Sequence, residues 1–567
     1  MLRTSKRFNI IQLIICVALF LLGIRSLLNF TVPVILLDEF GYWSNAAYLS
    51  GLDWSGVASY NAYYSFGYSF IQSAALTIFS NSVFAYRFMI VLNSLMLVGT
   101  YLVAYKCVQM LFASWTRYLT TIVSLIAVCG PSVFANTHLA WPETLLSFLC
   151  WFSLFCLLKF TNENRTIYIY LFLLTTTFEY FVHQRALGML LSGIIVFIIL
   201  FASKKMNLRR FALGLIQVVI LIVLFLIVKT RLKSGLYVSI VNEKSDINDY
   251  GAVIPYLKDV FTSPQGIYEL ISSLCGKIFN LLICSAFLWG YGMVCLFRSF
   301  WEFIKHRKYS YVETKEYVYI YILLLQLSSV GISTLINSFP HRVDQLVYGR
   351  YTEWAMGIVL VIGINELLSK KRSIIITCIV GVLTAVVVYA YYLHSSLDRF
   401  FSWVCSFSLY YFYDRLEQSN DYVWLAIKVC LLLTVPLLAM EVEKRKKYII
   451  VYLICFIFLA YKSFECVEGP HYRCEEVMTI HQQMDPTKDI YFEGDQEIVL
   501  WYAASMQFLN QDKTIQNVKS IQNKSDGYYL ITPAGSISNN VCCDKLLSIY
   551  ENKQVCVYYS EEESVIQ

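Results

Sequence analysis

The stretch LLDEFGYWSNAAY, residues 36–48, begins shortly after a hydrophobic segment that runs from Phe8 to Phe30. That segment is long enough to cross a bilayer, since the hydrocarbon core requires about 20 apolar residues in a helix. Asp38 and Glu39 therefore lie side by side close to the point where the chain leaves the membrane. An isolated acidic pair there is simply the solvated end of a span, but a carboxylate at this junction can also meet a lipid-borne and a water-soluble molecule together. The surrounding sequence decides between these interpretations.

The composition indicates a membrane protein. Of the 567 residues, 57% are hydrophobic and 15% are charged, and the mean hydropathy is +0.56; a typical soluble domain has about 25% charged residues. The net charge of +6 comes mainly from short Lys and Arg clusters between apolar segments, which is typical of membrane topology and argues against a nucleic-acid partner. The sequence contains no Walker or dinucleotide-binding glycine motif, so ATP hydrolysis within this chain is not expected.

Apolar segments of sufficient length predict a polytopic α-helical membrane protein with about thirteen transmembrane helices. These segments cover residues 8–30, 84–106, 117–137, 142–159, 165–183, 186–203, 209–228, 271–297, 317–337, 353–369, 373–394, 422–440 and 448–464. The first segment follows Arg3, Lys6 and Arg7 and has no A-x-A-like cleavage site after it, so we interpret it as a retained signal anchor.

The distribution of cations predicts which side of the membrane each loop faces, because short cytoplasmic loops are enriched in Lys and Arg. With a cytoplasmic N-terminus, the clusters fall in cytoplasmic loops: Lys106 and Arg117; Lys159 and Arg165; Lys204 to Arg210; Arg298 to Lys315; Lys370 to Arg372; and Lys444 to Lys447. Residues 29–86 contain no Lys or Arg. The loop of Asp38, the loops near Glu143, Arg185 and Arg350, and the C-terminal tail are thus predicted to be extracytoplasmic. We expect a multi-pass protein of a prokaryotic cell membrane.

Two parts are predicted along the chain: a transmembrane part, 1–464, with an extracytoplasmic loop at 31–83, and a more polar part, 465–567. In the second part the runs DIYFEG, GYYLIT and QVCVYY are strand-like, whereas EIVLWYAASMQFL and DKLLSIYE are helix-like. We therefore expect a small extracytoplasmic α/β domain. Disulfides can form in an exported domain, but its cysteines are odd in number and predict no pairing: Cys466, Cys474, Cys542, Cys543 and Cys556.

The loop at 31–83 remains apolar and aromatic, and its segments GYWSNAAYLSG and YSFGYSFIQSAALTIF are typical of short helices along the membrane interface. The order of a first span, LDEFGYWSNA, NAYYSFGYSFIQSAALTIF and a second span resembles the glycosyltransferases of the GT-C superfamily, especially the branch of protein O-mannosyltransferases and lipid A aminoarabinose transferases. The apolar turn HLAWPETLLSFL, the many spans and the terminal exported domain extend the resemblance over most of the chain.

The resemblance implies a GT-C-like fold and a sugar donor attached through phosphate to a polyprenol. In that superfamily an acidic residue just after the first span is the catalytic centre, and Asp38 and Glu39 occupy that place. Because a positioned carboxylate can accept the proton of an attacking hydroxyl, we expect Asp38 to be the base and Glu39 to orient the acceptor or bind a sugar hydroxyl, with the reverse assignment open. Direct displacement implies inversion at the anomeric carbon. The acceptor is a protein, a lipid or an envelope polymer.

The departing phosphate gains negative charge, so cations are expected near the reacting atoms. Arg185 and Arg350 lie at predicted extracytoplasmic span ends, where a guanidinium can bind phosphate oxygens bidentately. The resemblance supports both positions, since related enzymes often have a basic residue in the place of Arg185 and an Arg-Tyr pair before the late span, as in GRY here. The neighbouring polar cluster of His341, Arg342 and Asp344 suits contacts with the donor phosphate or with the acceptor, and we assign His341 and Arg342 to the phosphate; a solvated loop is the simpler explanation of Asp344. For either Arg185 or Arg350 alone, snorkelling to the interface is an equally good explanation.

Glu143 follows Pro142 at the start of the fourth predicted span, and the resemblance makes it a candidate sugar- or acceptor-binding residue. Its position at a helix N-terminus would by itself justify an acidic residue. Trp43, Tyr63 and Tyr64 can stack on an apolar sugar face, although interfacial aromatic residues are more often membrane anchors. No spacing predicts a set of metal ligands, so we expect no resident metal; a divalent cation is the open alternative.

These observations predict an integral membrane glycosyltransferase that transfers a hexose or a pentose from a lipid-phosphate-linked donor. The alternative is a flippase or other transporter of lipid-linked sugars, which would also have many spans. Transporters tend to have charged or broken helices near the middle of the membrane and matching halves, whereas here the polar clusters lie at one face and no half-repeat is visible. A polymerase of the O-antigen type would have its main arginines in large later loops, and the early acidic pair argues against it.

Overall fold

The computed structural model describes residues 2–35, 38–237, 253–306, 314–369, 371–410, 427–428, 431, 434–438, 440, 442–469, 471–518, 527–534, 546–552 and 554–560. The first helices are α1 (Leu2–Gly23), α2 (Asp38–Leu49), α3 (Ser55–Ala58), α4 (Ser69–Ile78), α5 (Ser82–Leu111), α6 (Arg117–Val128), α7 (Pro131–Thr137), α8 (Glu143–Glu163), α9 (Thr166–Val182), α10 (Leu187–Ala202) and α11 (Leu208–Leu236). The later helices are α12 (Val253–Thr262), α13 (Pro264–Cys284), α14 (Leu288–His306), α15 (Thr314–Ile336), α16 (Val343–Leu346), α17 (Met356–Ser369), α18 (Lys371–His394), α19 (Val442–Glu468), α20 (His471–Gln483) and α21 (Glu497–Leu509). The strands are β1 (Asp489–Phe492), β2 (Gln516–Asn517), β3 (Tyr528–Pro533), β4 (Leu546–Glu551) and β5 (Val555–Ser560).

The helices confirm a polytopic membrane protein, but they do not confirm the predicted count of thirteen spans. Within the described ranges, nine helical segments are long and apolar enough to cross a membrane, and they lie in α1, α5, α8, α10, α11, α13, α15, α18 and the α19–α20 segment. The pair α6 and α7, bent by 67°, would make a tenth span. Two further predicted spans correspond to the short helices α9 and α17, and the one predicted at 422–440 lies largely outside the described residues.

The predicted span at 271–297 is wrong, because the structure divides it between α13 and α14. Ala286 and Phe287, between the two helices, have positive φ angles of 45° and 65°, a conformation that a continuing right-handed helix does not permit. Beyond the break, α14 packs closely on α17. A Cβ atom at Gly363 would collide with the carbonyl oxygen of Leu288, and one at Gly292 with the carbonyl oxygen of Val359. Small residues permit this backbone approach between membrane helices.

The first loop contains the predicted short helices, here α2 and α4, but it lies beneath the C-terminal part of the chain instead of only along the interface. Phe508 of α21 packs on Trp43, with ring centroids 5.1 Å apart, and on Trp54, at 6.1 Å. The indole nitrogen of Trp54 donates a hydrogen bond of 3.0 Å to the carbonyl oxygen of Gln511. Close backbone contact at Gly56, where a Cβ atom would collide with the carbonyl oxygen of Ile515, completes this docking surface.

The C-terminal part confirms a small α/β domain with one correction. Its five strands form a mixed sheet in the order β2-β1-β3-β5-β4, with β1, β2 and β3 parallel and β5 antiparallel to both β3 and β4. The segment DKLLSIYE, predicted as a helix, contributes strand β4, because pairing with β5 outweighs the local pattern of a short apolar run.

The predicted boundary at residue 464 falls inside α19. Cys466, Cys474 and Cys556 are free thiols, whereas Cys542 and Cys543 lie outside the described residues.

Phe508→Ala tests whether the contact of Phe508 with Trp43 and Trp54 holds the C-terminal domain on the first loop. The side chain of Phe508 is fully buried, and truncation of a buried Phe typically costs about 3–5 kcal/mol. We expect a lower thermal unfolding midpoint and faster limited proteolysis around α20 in the purified protein. Tyr472→Ala, which removes an aromatic side chain that is 56% exposed, is the control and should change neither property. Identical cleavage of Phe508→Ala and the unsubstituted protein would contradict this role.

Candidate active site

Four charged residues that are distant in sequence meet at one end of the helix bundle. Asp38 begins α2 and Glu143 begins α8. Arg185 lies in a short 3-10 turn between α9 and α10, and Arg350 lies between α16 and α17. All four belong to connections that the cation distribution predicts to be extracytoplasmic. We refer to Asp38, Glu143, Arg185 and Arg350 as the charge cluster.

Arg350 is the centre of the charge cluster. Its Nη1 pairs with Oδ2 of Asp38, and its Nε donates a hydrogen bond of 2.7 Å to Oε1 of Glu143. The guanidinium carbon lies 4.0 Å from the ring centroid of Trp141, which is within the range of a cation–π interaction. The Arg350 side chain is only 4% exposed, so its positive charge is compensated by the two carboxylates and the indole ring.

Arg185 is held on one edge only. Its Nη2 donates a hydrogen bond of 2.8 Å to Oε1 of Glu143, the same oxygen that receives Arg350, and its guanidinium lies 5.0 Å from the Tyr351 ring. Its Nε and Nη1, and Oε2 of Glu143, are buried and have no hydrogen-bond partner among the described residues. A buried donor without a partner costs about 1–3 kcal/mol. The arrangement therefore leaves two guanidinium N–H positions free for an anion.

Asp38 is the accessible member of the charge cluster. Its side chain is 24% exposed, whereas those of Glu143 and Arg185 are 0% and 1% exposed. Its Oδ1 accepts a hydrogen bond of 2.5 Å from the hydroxyl of Tyr64, and its Oδ2 is paired with Arg350. A molecule that enters from outside the bundle can thus approach the Asp38 carboxylate without displacing Glu143.

The described part of the chain has no group of three His, Cys, Asp or Glu side chains placed to hold a metal ion.

Comparison with known proteins gives a match at the level of structure. No protein family model matches the sequence, and no curated protein matches it significantly. The structure of ArnT from Cupriavidus metallidurans bound to undecaprenyl phosphate is 11% identical, with a TM-score of 0.52 over 98% of both chains. The apo state of that protein gives a TM-score of 0.51 over the same shares of the two chains. An oligosaccharyltransferase from Archaeoglobus fulgidus, 11% identical, gives 0.44 over 90% of this chain and 65% of its own.

This protein has the GT-C fold. The match over nearly the whole of both chains confirms the predicted fold class, including a small sheet domain after the helical part. Since the sequences share so few identical residues, the likeness concerns architecture, and the chemistry must be argued from the side chains of this chain.

Glu39 has a different environment from its neighbour Asp38 in this GT-C chain. Its side chain is fully buried. Oε2 accepts hydrogen bonds from the backbone nitrogens of Val34, at 2.7 Å, and Ile35, at 2.9 Å. Oε1 accepts from the hydroxyl of Tyr86 and the backbone nitrogen of Ala140, both at 2.8 Å. Both oxygens therefore hold the loop, α5 and the segment before α8 together, and a catalytic role of Glu39 stays a prediction.

The charges and burial shift three ionisable groups of the site. Burial raises the pKa of the Glu39 carboxyl, and its hydrogen-bond donors oppose that rise in part. Burial also raises the pKa of the Tyr64 hydroxyl, and the adjacent Asp38 raises it further, so Tyr64 remains a hydrogen-bond donor. Burial alone would lower the pKa of Arg350, but Asp38 and Glu143 more than reverse this and hold that pKa well above its ordinary value. The arginine therefore stays charged at the centre of the cluster.

Of the aromatic residues predicted to stack on a sugar, the structure brings only Tyr64 to the charge cluster. Trp43 is fully buried, with its ring against Phe508, so it offers no free face. Tyr63 is also fully buried, and its ring packs edge-on against that of Tyr237 at 5.8 Å. Packing under the C-terminal domain and against α11 occupies the surfaces of these two residues, and a sugar contact at either stays a prediction.

His341 and Arg342 are not joined to the charge cluster by any contact that the described residues show. Arg342 pairs instead with Asp344, at 3.1 Å from its Nε to Oδ1, and its guanidinium lies 5.4 Å from the Phe400 ring. The side chain of His341 lines a separate cavity. The short helix α16 lies between these residues and Arg350 in the chain, and their assignment to the donor phosphate stays a prediction.

Sequence reasoning missed three aromatic residues of the site. Trp141 supports the Arg350 guanidinium and Tyr351 supports that of Arg185. Tyr42 lies one helical turn after Asp38, and its buried hydroxyl has no hydrogen-bond partner among the described residues. The sequence contained a signal for two of them. Tyr351 directly follows Arg350, and Tyr42 lies four positions after Asp38, so the two share one face of α2.

Glu39→Gln should destabilise the protein. An amide in place of the carboxylate turns one acceptor oxygen into a donor, which leaves two buried N–H or O–H groups unpaired at a cost of about 1–3 kcal/mol each. We expect a lower thermal unfolding midpoint for the purified protein.

Asp53→Asn, the corresponding change in an exposed acid of the same loop, is the matched control and should unfold like the unsubstituted protein. Equal midpoints for the Glu39 and Asp53 variants would mean that the buried carboxylate does not hold the loop.

Proposed function

We propose that this protein is an integral membrane glycosyltransferase that moves a sugar from a polyprenyl-phosphate-sugar donor to the hydroxyl of an extracytoplasmic acceptor, with inversion. The observation that carries the proposal is the charge cluster, in which an accessible carboxylate lies against a buried arginine beside a second arginine with unsatisfied N–H groups. The ArnT structure, which shares the fold, binds undecaprenyl phosphate. Both features suit transfer from a lipid-phosphate carrier.

Arg185 and Arg350 are the proposed ligands of the donor phosphate. The charge cluster alone has two carboxylates and two guanidiniums, so its formal charge is balanced before a ligand binds. An incoming phosphate would satisfy the free Nε and Nη1 of Arg185, and charge-assisted hydrogen bonds of this kind are about twice as strong as neutral ones. As the glycosidic bond breaks, the bridging oxygen keeps the electron pair, and the nearby guanidiniums stabilise the resulting charge.

Asp38 is the proposed general base. An acceptor hydroxyl attacks the anomeric carbon as the bond from that carbon to the phosphate oxygen breaks, and Asp38 takes the hydroxyl proton. Tyr64 donates to Oδ1 of Asp38, which orients the carboxylate and leaves Oδ2 as the oxygen that can receive the proton once Arg350 turns away. Because one carboxylate acts on the nucleophile and no second one is needed as a covalent acceptor, the displacement inverts the anomeric configuration.

Arg350 couples donor binding to the release of the base. In the structure its guanidinium occupies Oδ2 of Asp38, so it competes with an acceptor hydroxyl for that oxygen. A donor phosphate offers the guanidinium a competing anion, and the pair with Glu143 gives it a fixed pivot. The base becomes available after the donor has bound, and this order protects the donor from attack before its phosphate is in place.

Glu143 is proposed to position both arginines through its shared Oε1, with Oε2 left for a sugar or acceptor hydroxyl. The position of the charge cluster at one end of the bundle favours an enzyme over a flippase, because transporters bind substrate near the middle of the membrane. We propose that this end, with the C-terminal domain packed over the first loop, faces away from the cytoplasm in a prokaryotic membrane.

Asp38→Asn should abolish sugar transfer while leaving donor binding intact. Loss of a general base typically costs about 10²- to 10⁴-fold in rate, and the amide retains the shape of the side chain. Purified protein would be incubated with a panel of radiolabelled polyprenyl-phosphate sugars, and transfer to a membrane extract measured. Asp53→Asn serves as the control with the same chemical change in the same loop. A near-normal rate for Asp38→Asn would remove this residue from the chemistry.

Arg185→Lys should weaken use of the donor, because a lysine keeps the charge but loses the planar fork that binds phosphate oxygens in pairs. We expect the KM for the donor to rise by about tenfold or more, equivalent to about 1.4 kcal/mol. Arg298→Lys is the matched control, since this arginine pairs with Glu366 outside the charge cluster. An unchanged donor KM in Arg185→Lys would refute the phosphate assignment.

A further inference from the structure

A second cavity lies beside the loops that carry the charge cluster. It has a volume of about 400 Å³ and is formed by the start of α13, the segment after α15 and the end of α18. The residues that matter most for its chemistry are Gln265, Tyr268, Glu269, His341, Tyr391 and His394. Ligand pockets in proteins span about 300–1,000 Å³, so this cavity can hold a small molecule or a few units of a polymer.

The side chains of this cavity combine aromatic surface with hydrogen-bonding groups. The Tyr268 and Tyr391 ring centroids lie 5.5 Å apart, and Tyr268 is 44% exposed. The Glu269 carboxylate accepts hydrogen bonds from Gln265, at 2.7 Å, and from the Tyr391 hydroxyl, at 3.1 Å. Each carboxylate oxygen keeps a lone pair for a further donor. The exposed Tyr268 ring beside a pre-oriented acceptor suits a ligand that has both C–H faces and hydroxyl groups.

The charges exclude other classes of ligand. The described residues that line the cavity include no Lys or Arg, and Glu269 repels anions, so a phosphate group is disfavoured. Acyl chains are disfavoured because they would cover the remaining lone pairs of the Glu269 carboxylate and the polar histidine side chains without offering a hydrogen bond. His341 and His394 contribute imidazole nitrogens, which can form hydrogen bonds with hydroxyl groups. A neutral carbohydrate fits all of these groups.

The backbone connects this cavity to Arg350. The carbonyl oxygen of His341 accepts a hydrogen bond of 2.9 Å from the nitrogen of Asp398, so the segments after α15 and α18 run together from the cavity. At the other end, the nitrogens of Gly349 and Arg350 both donate to the carbonyl oxygen of Cys405 at 2.9 Å. Nine residues of extended chain reach at most about 30 Å, and α16 shortens this path. The Cα atoms of His341 and Arg350 are therefore at most about 30 Å apart, a distance that an extended oligosaccharide can cover.

We infer that this cavity is an acceptor subsite that binds a neutral oligosaccharide portion of the acceptor, which makes the acceptor a glycan-bearing molecule. As an assignment of the acceptor, the inference rests on the proposed glycosyltransferase function. The binding of a neutral glycan by the cavity stands without that function and can be measured separately.

Direct binding tests the inference on the purified full-length protein. Short linear glucans, mannans and galactans, an unglycosylated peptide and inorganic phosphate would each be titrated by calorimetry without donor. We expect at least one glycan to bind, and Tyr268→Ala and His394→Ala each to raise its Kd by about tenfold or more. Tyr118→Ala, at an exposed tyrosine of α6, controls for loss of an aromatic surface and should bind normally. Equal thermal unfolding of all variants would exclude misfolding.

Asp38→Asn should bind the glycan with unchanged affinity, because its carboxylate belongs to the charge cluster. In the transfer assay, Tyr268→Ala should raise the KM for a glycan acceptor while kcat is unchanged, as expected for a contact away from the reacting atoms. Glycan binding without any transfer would refute the proposed function and leave the cavity assignment in place. Binding of the peptide or phosphate alone, binding of no glycan, or unchanged affinity in Tyr268→Ala and His394→Ala would overturn the inference.

Discussion

The buried contact of Arg350 with Asp38 and Glu143 is the constraint on which the rest of the site depends. A guanidinium with so little exposure to solvent would be expensive without compensation, and removal of one partner from a buried ion pair typically costs about 3–5 kcal/mol. Because its partners come from the starts of α2 and α8, the pair fixes the first loop against the helix bundle. Apolar residues can stabilise such a junction equally well, so the presence of charges there agrees with the proposed chemistry.

The two adjacent carboxylates of the first loop have different surroundings, and the proposed function gives Glu39 a structural role and Asp38 a role in the reaction. The two carboxylate oxygens of Glu39 accept hydrogen bonds from four donors in the loop, α5 and the segment before α8. These contacts fix where α2 begins. Asp38 is presented toward solvent with only Tyr64 and Arg350 as partners. A rigid support beneath a group with exchangeable partners is the arrangement that catalysis by a positioned base requires.

The C-terminal domain contributes to the site indirectly. Its helix α21 packs on Trp43 and Trp54 and so covers the loop that carries Asp38 and Glu39. Aromatic residues that an isolated loop would expose to the interface thereby become part of a packed core. The proposed carbohydrate cavity lies on different loops, between α13, α15 and α18, so the acceptor and the donor phosphate would be recognised by separate parts of the helical bundle.

The sequence by itself determined the membrane class, the GT-C resemblance, the side on which each loop is expected and the candidacy of Asp38, Arg185 and Arg350, because apolar length and cation bias are properties of consecutive residues. Tertiary structure alone decided that Glu39 is a scaffold, since neighbours on a helix point about 100° apart, and that Glu143 joins two arginines found 42 and 207 positions later. It also turned DKLLSIYE into strand β4 and buried Trp43 under α21, because partners distant in the chain decide sheet pairing and burial, and a local pattern does not contain them.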